Sequence, residues 1–382
     1  MNHIFKTKLA YALTTAVLAT GAHAEGFDRN VPDNLFMFEP GGYVELGSAF
    51  LRPDITGSFA TPGESIPTGN ISDNFAIPQF AIKTDINDRF SLGLRYSQPY
   101  GLTAQYPDNT PPLSPPFARG TGGEFGANEL ALFGRYKLND RHSVFGSLRL
   151  QEYSGYLRRG GVQFDFESSY ELGYSLGYAF EIPEQRLLFS AEYRSAVEHS
   201  NTTVPRNSGI AAIADPTSPL GITLIPVTAG EAMAQDTIHR TPQSLTLTFL
   251  TKLPIGDGRN QMFARYRWAE WSEADITFNG LNPTQFVNSQ IFGLGFGRLV
   301  TDNLAVTVVA EYRTGGESPK PGLTPFEDSY GLLFGMRYAL NDDTVLQAGY
   351  SKIWFEDATT ANGGTFENNS ADGVFLKIGY YF

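Results

Sequence analysis

Three histidines, His142, His199 and His239, follow the first two dozen residues, and histidine is the side chain best placed to move protons near neutral pH. None of the three lies in a recognisable nucleophile motif, where a Ser or Cys, a base and an orienting group must converge. The sequence contains no Cys, so neither disulfides nor a thiolate metal centre is available. The acidic loop residues Asp54, Asp215 and Asp236 are too far apart in sequence to form a recognisable ligand set. No catalysis, metal or cofactor is expected. The chemistry left is recognition. Arg95, Arg135, Arg265 and Arg267 can each grip a carboxylate through two parallel hydrogen bonds. The same guanidinium groups, with Lys137, Arg149, Arg194, Arg313 and Arg337, can instead pair with Glu129, Glu171, Glu192 and Glu311 as a structural brace.

For those charges to converge, the elements that carry them must turn one face inward. Leu130, Leu132, Gly134, Tyr136 and Leu138 alternate with Glu129, Ala131, Phe133, Arg135 and Lys137. The same period of two runs through Tyr170 to Phe180, Leu304 to Tyr312 and Leu332 to Leu340, and ends with Val374, Leu376, Ile378, Tyr380 and Phe382. One apolar face and one mixed face at this period is the mark of a strand lying against something apolar. Aromatic content of 13% and 40 glycines fit strands and turns better than helices.

Such segments fall at 42–52, 75–84, 90–98, 126–138, 143–153, 163–180, 187–199, 243–253, 261–272, 288–300, 304–314, 328–340, 344–356 and 371–382. Most match the roughly 9–11 residues that a tilted strand needs to cross a bilayer. The connections sort by parity. Short turns at 85–89, 139–142, 181–186, 254–260, 301–303 and 341–343 alternate with connections that are longer in nearly every case, at 53–74, 99–125, 154–162, 200–242, 273–287, 315–327 and 357–370. An outer-membrane barrel has this asymmetry, with short periplasmic turns and longer external loops. The expected fold is therefore all-β, a transmembrane antiparallel barrel of about 14 strands over 42–382. Tyr43, Trp268, Trp271, Trp354, Tyr380 and Tyr381, near strand ends, suit its interfacial girdles.

Residues 1–24 read as a signal peptide, with Lys6 and Lys8 ahead of an apolar run and a small-x-small site at Ala22-His23-Ala24. Without them the chain keeps 26 of its 28 basic residues against 40 acids, a net charge of −14, which argues against nucleic-acid binding. The expected location is the outer membrane of a Gram-negative bacterium, in contact with its lipid and lipopolysaccharide and as a monomer. A final aromatic such as Phe382 suits recognition by the barrel-assembly machinery.

A barrel this wide encloses either water or a plug. Residues 25–41 supply Phe27, Leu35, Phe36 and Phe38, an oily segment expected to fold into the lumen as a short hatch. The 200–242 connection carries Ile213, Leu220, Ile222 and Leu224, enough aliphatic surface to form an external groove for an apolar ligand. In the third strand the alternation of Phe90, Leu92, Leu94 and Tyr96 meets Gln98-Pro99-Tyr100-Gly101. Proline removes a ladder donor and glycine weakens a strand, so this stretch either opens the wall or ends the strand. Pro78 in the second strand raises the same question.

Asn34-Leu35-Phe36 followed by GGYVELGSAFLRPDITG (41–57), RYSQPYG (95–101), RTPQSLTLTF (240–249) and RYRWAEWSEADI (265–276) together resemble the FadL/TodX family of outer-membrane transporters for long-chain fatty acids and hydrocarbons. The resemblance implies fourteen strands, capture of a hydrophobic small molecule in an external groove, passage past the hatch, and sideways release at a kink in the third strand. The family's Asn-Pro-Ala element is not intact here, where Val31-Pro32-Asp33-Asn34 stands near its place. The rival reading is a water-filled diffusion porin for small polar solutes.

Overall fold

The computed structural model describes residues 28–30, 33–61, 63–107, 121–159, 161–218, 222–274, 286–316, 320, 322–361 and 363–382. The signal-peptide segment, Phe27 and Leu220 lie outside the described residues.

Fourteen antiparallel strands form the wall: β1 (Tyr43–Asp54), β2 (Phe75–Asp85), β3 (Phe90–Gln105), β4 (Gly122–Lys137), β5 (His142–Arg159), β6 (Val162–Ile182), β7 (Leu187–Arg194), β8 (Ser244–Lys252), β9 (Asn260–Ala269), β10 (Ser289–Leu299), β11 (Leu304–Arg313), β12 (Ser329–Ala339), β13 (Thr344–Phe355) and β14 (Ser370–Tyr381). Each pairs with the next, and β14 returns to β1 in register from Tyr43↔Tyr381 to Asp54↔Ser370. Pairing of β14 with β1 leaves neither terminal strand as a free edge in lipid, which cannot satisfy backbone polar groups.

The two faces separate as the alternation predicts. Leu132, Leu148, Leu172, Leu294, Phe334, Leu376 and Ile378 are exposed on the outer surface. Arg95, Arg135, Arg149, Arg194, Arg265, Arg267, Arg313 and Arg337, with Glu129, Glu192 and Glu311, are buried inside. Among the described residues no helix is long and apolar enough to span a membrane, so crossing falls to the strands.

Several details differ from expectation. β3 does not stop at Pro99 but continues to Gln105. The expected loop at 154–162 is mostly strand, because β5 runs to Arg159 and β6 begins at Val162. The expected strand 187–199 stops at Arg194, and a separate strand, Val197–Pro205, pairs with Gln235–Thr241. β6 follows β7 only up to Ser175↔Arg194 and meets the Val197–Pro205 strand only at Phe164–Phe166. Side chains cap the edge between: Tyr174 N donates to Ser195 Oγ at 3.0 Å, and Asn201 Nδ2 donates to the carbonyls of Glu167 and Tyr153 at 2.6 and 2.9 Å. The girdle assignment also needs correcting. Trp354 and Tyr380 face outward, but Tyr43, Trp271 and Tyr381 are buried on the lumenal side, where their polar atoms find partners.

Candidate functional site: the stoppered lumen and the break beside the third strand

The lumen is filled from one end by the segment before β1. Leu35–Phe38 forms a single 3-10 turn whose four side chains are all buried. Asp33 Oδ1 accepts the Leu35 N–H at 2.9 Å and so fixes the turn's start. Phe36 meets Phe133 edge-on at 5.3 Å between centroids, and Phe38 meets Phe145 at 5.7 Å. Burial of such side chains stabilises by roughly 1.5–3 kcal/mol each, enough to hold an oily turn in the barrel and out of water. The seat depends on Gly93: a Cβ there would lie 2.5 Å from Met37 Sδ and 2.8 Å from Phe36 Cε2.

Polar clips hold the same segment along its length. Arg267 Nη1 donates to Asp28 Oδ2 at 2.6 Å, and Trp271 Nε1 donates to the same oxygen at 3.2 Å. Arg95 donates to the Asp33 carbonyl and Arg135 Nη1 to the Met37 carbonyl, the latter at 3.2 Å. Glu39 accepts from Tyr381 Oη at 2.6 Å and faces Arg337 at 3.7 Å. Lys83 Nζ donates to the carbonyls of Glu39 and Gly41, each at 2.8 Å.

Of the four arginines considered for carboxylate recognition, three therefore hold the hatch. The fourth, Arg265, pairs with Glu311, which also takes Arg313 at 3.0 Å. Glu129 in turn bridges Arg149 and Arg194 at 2.8 and 2.7 Å. The brace dominates the lumen, and it recruits the hatch as one of its members.

The Gln98–Gly101 stretch is a bulge in the wall. The β3–β4 register jumps from Ser97↔Glu129 to Tyr100↔Ala127, and the β2–β3 ladder ends at Phe80↔Tyr96. Beyond that rung, Phe75–Gln79 pairs with β1 alone. Pro78 and Pro99 thus sit on the two lips of a break, where a missing N–H costs no ladder bond. β3 bends inward there: Tyr100 is buried and packs edge-on against Trp271, across the lumen, at 5.5 Å. Gln98 stays on the wall through Nε2 to Asn128 Oδ1 at 2.9 Å.

The hatch closes this break from within. The backbone N–H groups of Arg29 and Asn30 donate to the Pro99 carbonyl at 2.9 and 3.2 Å, and Asp28 bridges to Tyr100. The Arg29 side chain lies in the break itself, its guanidinium 4.7 Å from the Phe75 ring centroid and within 3.4 Å of Thr103 Oγ1. Gly101 makes room for it, since a Cβ would fall 2.5 Å from Arg29 Nε. Sequence reasoning missed Arg29; its only signal was a single basic residue among the acidic and apolar residues of 25–41. A small cavity lined by Asn30, Asp33, Phe36, Glu45, Gln79, Phe80, Arg95, Tyr96 and Ser97 opens at the same place.

At the far end of the barrel an apolar crevice is lined by Ile55, Ile71, Leu102, Ala104, Leu323, Phe326 and Phe355, among others. The 200–242 connection forms two hairpins instead of a loose loop. In the outer one, Gly209–Ala214 pairs with Ile222–Val227, setting Ile213 opposite Thr223 and Ala214 opposite Ile222. Leu224 is exposed there, whereas Ala211 and Val227 are buried. No group of three or more His, Asp or Glu side chains among the described residues is placed to hold a metal ion.

Comparison with solved structures finds the same architecture. A Pseudomonas aeruginosa FadL homologue superimposes with a TM-score of 0.68 at 15% identity, covering 91% of this chain and 92% of that one. The Ralstonia pickettii toluene transporter TbuX gives 0.61 at 16% identity, covering 95% and 97%. The P. putida toluene transporter TodX gives 0.63 at 13% identity, covering 91% and 92%. No curated protein sequence matches the chain. The sequence itself fits the model of one family, outer membrane protein transport protein (OMPP1/FadL/TodX), over residues 8–374. The chain belongs to the OMPP1/FadL/TodX family of outer-membrane transport proteins, non-enzymatic channels for hydrophobic compounds.

Proposed function

We propose that the protein takes up hydrophobic small molecules, long-chain fatty acids or related hydrocarbons, and releases them sideways into the membrane through the break between β2 and β3. The observation that carries this reading is the break itself. The β2–β3 ladder stops at Phe80↔Tyr96, while β3 stays paired with β4 beyond its bulge as far as Gln105↔Gly122, and the residue filling the opening, Arg29, comes from the hatch. The apolar crevice at Ile55, Leu102 and Phe326 is the first resting place for the ligand, ahead of the lumen. Lateral release spares an apolar molecule a transfer through water, which costs roughly 25 cal/mol per Å2 of apolar surface.

Uptake of a radiolabelled fatty acid and of labelled toluene by cells producing the protein tests this reading. Ser97→Trp, at a buried position lining the cavity beside the break, is expected to lower uptake at least tenfold while heat-modifiable gel mobility stays that of the folded barrel. Arg29→Ala is expected to leave uptake unchanged or raise it. Wild-type uptake by Ser97→Trp would refute lateral release.

A further inference from the structure

His199 and His239 sit directly opposite each other in the hairpin formed by Val197–Pro205 and Gln235–Thr241. Both are buried, at 0% and 1% exposure. Each gives one ring nitrogen to an amide oxygen: His199 Nε2 donates to Gln151 Oε1 at 3.1 Å, and His239 Nδ1 donates to Asn201 Oδ1 at 2.9 Å. An amide oxygen only accepts, so those nitrogens carry the protons. His199 Nδ1 and His239 Nε2 are then bare, and neither has a hydrogen-bond partner. The Tyr153 ring stacks on both imidazoles at 5.4 and 5.2 Å, and the Phe166 ring lies 4.5 Å from His239.

Among the described residues no carboxylate contacts the pair. β5 brings the phenol of Tyr153 and, through Gln151 alone, a link to Glu129 on β4, which already holds Arg149 and Arg194. β6 brings Phe166 and the Ser169 backbone beside His199. On the hairpin itself Glu198, Asp236 and Arg240 alternate onto the opposite face. A second proton on either ring therefore makes a buried imidazolium with no anion to pair it, next to a second histidine facing the same change.

We infer that this hairpin is an acid-released strap, closed against the lumenal side of β5 and β6 while both histidines are neutral and lifted away when they are charged. The seam it would open is already thin. From Glu167 to Tyr174, β6 has no ladder pairing on that side, and the interval is bridged by Ser195 and Asn201. Burial pushes His199 down to about 4, and burial with His199 alongside pushes His239 down to about 3. A histidine depressed in the folded state stabilises fully above its ordinary value near 6.5 and loses that contribution as pH falls toward the folded value. Between pH 7.5 and pH 5 release is thus favoured by about 30-fold per histidine, and by about 1,000-fold for the two together.

Two single-cysteine chains, purified whole in detergent, test this in a protein that has no Cys of its own. Thr237→Cys reports from the buried face of the hairpin and Thr202→Cys from its exposed face. The ratio of their maleimide labelling rates cancels the pH dependence of the thiol, and it is expected to rise at least 100-fold from pH 7.5 to pH 5. His199→Gln or His239→Gln alone is expected to cut the rise to about 30-fold or less. Both together are expected to abolish it, with the heat-modifiable gel mobility of the folded barrel unchanged. A ratio that stays constant with pH, or one that climbs as steeply in the double variant as in the parent, overturns the strap. Should a Gln variant fail to fold, the pH dependence of the two reporter chains decides by itself, a flat ratio again overturning the inference.

Discussion

Removing the Asp28 carboxylate should free the upstream end of the hatch, and the size of the effect follows from what it leaves behind. Asp28 Oδ2 takes both the Arg267 guanidinium at 2.6 Å and the Trp271 indole N–H at 3.2 Å, in a fully buried setting. Arg267 Nε and Nη2 have no partner to fall back on. Deleting one member of a buried ion pair costs about 3–5 kcal/mol, because the other charge is stranded. At about 1.4 kcal/mol per factor of ten, that is two to three and a half powers of ten in the docking equilibrium. Water entering the freed space brings the expected shift in Asp28→Ala to about 100-fold.

The absence of native Cys makes the readout clean. Asn30→Cys, at a buried position, should react with a water-soluble maleimide about 100-fold faster in the Asp28→Ala background than alone. Because the loss comes from a stranded charge, Asp28→Ala combined with Arg267→Leu should label more slowly than Asp28→Ala by itself. Equal labelling rates with and without Asp28 would refute the claim that this ion pair docks the segment.

Gly93→Leu should unseat the Leu35–Phe38 turn, since even a Cβ at that position meets Met37 and Phe36 inside normal contact distance; stable planar-bilayer currents in the variant against near silence in wild type would show it. The turn of the outer hairpin should resist acid. Asp215 accepts from the Thr217 N–H and hydroxyl and from the Thr223 hydroxyl, and these bonds lower its pKa to about 2. A carboxyl depressed in the folded state stabilises above its unfolded pKa and loses that contribution as pH falls through the folded value. Amide protection at Thr217 should therefore persist at pH 4 and disappear toward pH 2, and Asp215→Asn should weaken it at neutral pH and remove its acid dependence.

The barrel was legible in the sequence because a membrane strand repeats every two residues and each repeat chooses between lipid and lumen. The boundaries at Phe90, Leu304 and Thr344 follow from that choice alone. Local rules misled where a non-local partner rescued a broken one. Proline and glycine at Pro99 and Gly101 read as a possible end of β3, yet the strand survives them because Arg29 and Asn30 donate to the Pro99 carbonyl from the other side. The 200–242 stretch reads as an oily loop because its hairpin partners lie far apart, as with Val197 and Thr241. The arginines were visible as inward charges, but their assignment was not. Nothing in the spacing of Asp28 and Arg267 announces a contact across 239 residues.

The clips on the segment before β1 come from β2, β3, β4, β9, β12 and β14, so no early fragment of the chain contains all of them. Asp28 must wait for Arg267 and Trp271, and Glu39 for Arg337 and Tyr381. The full set of contacts to this segment therefore exists only in the closed cylinder, with both sides of its seam in place.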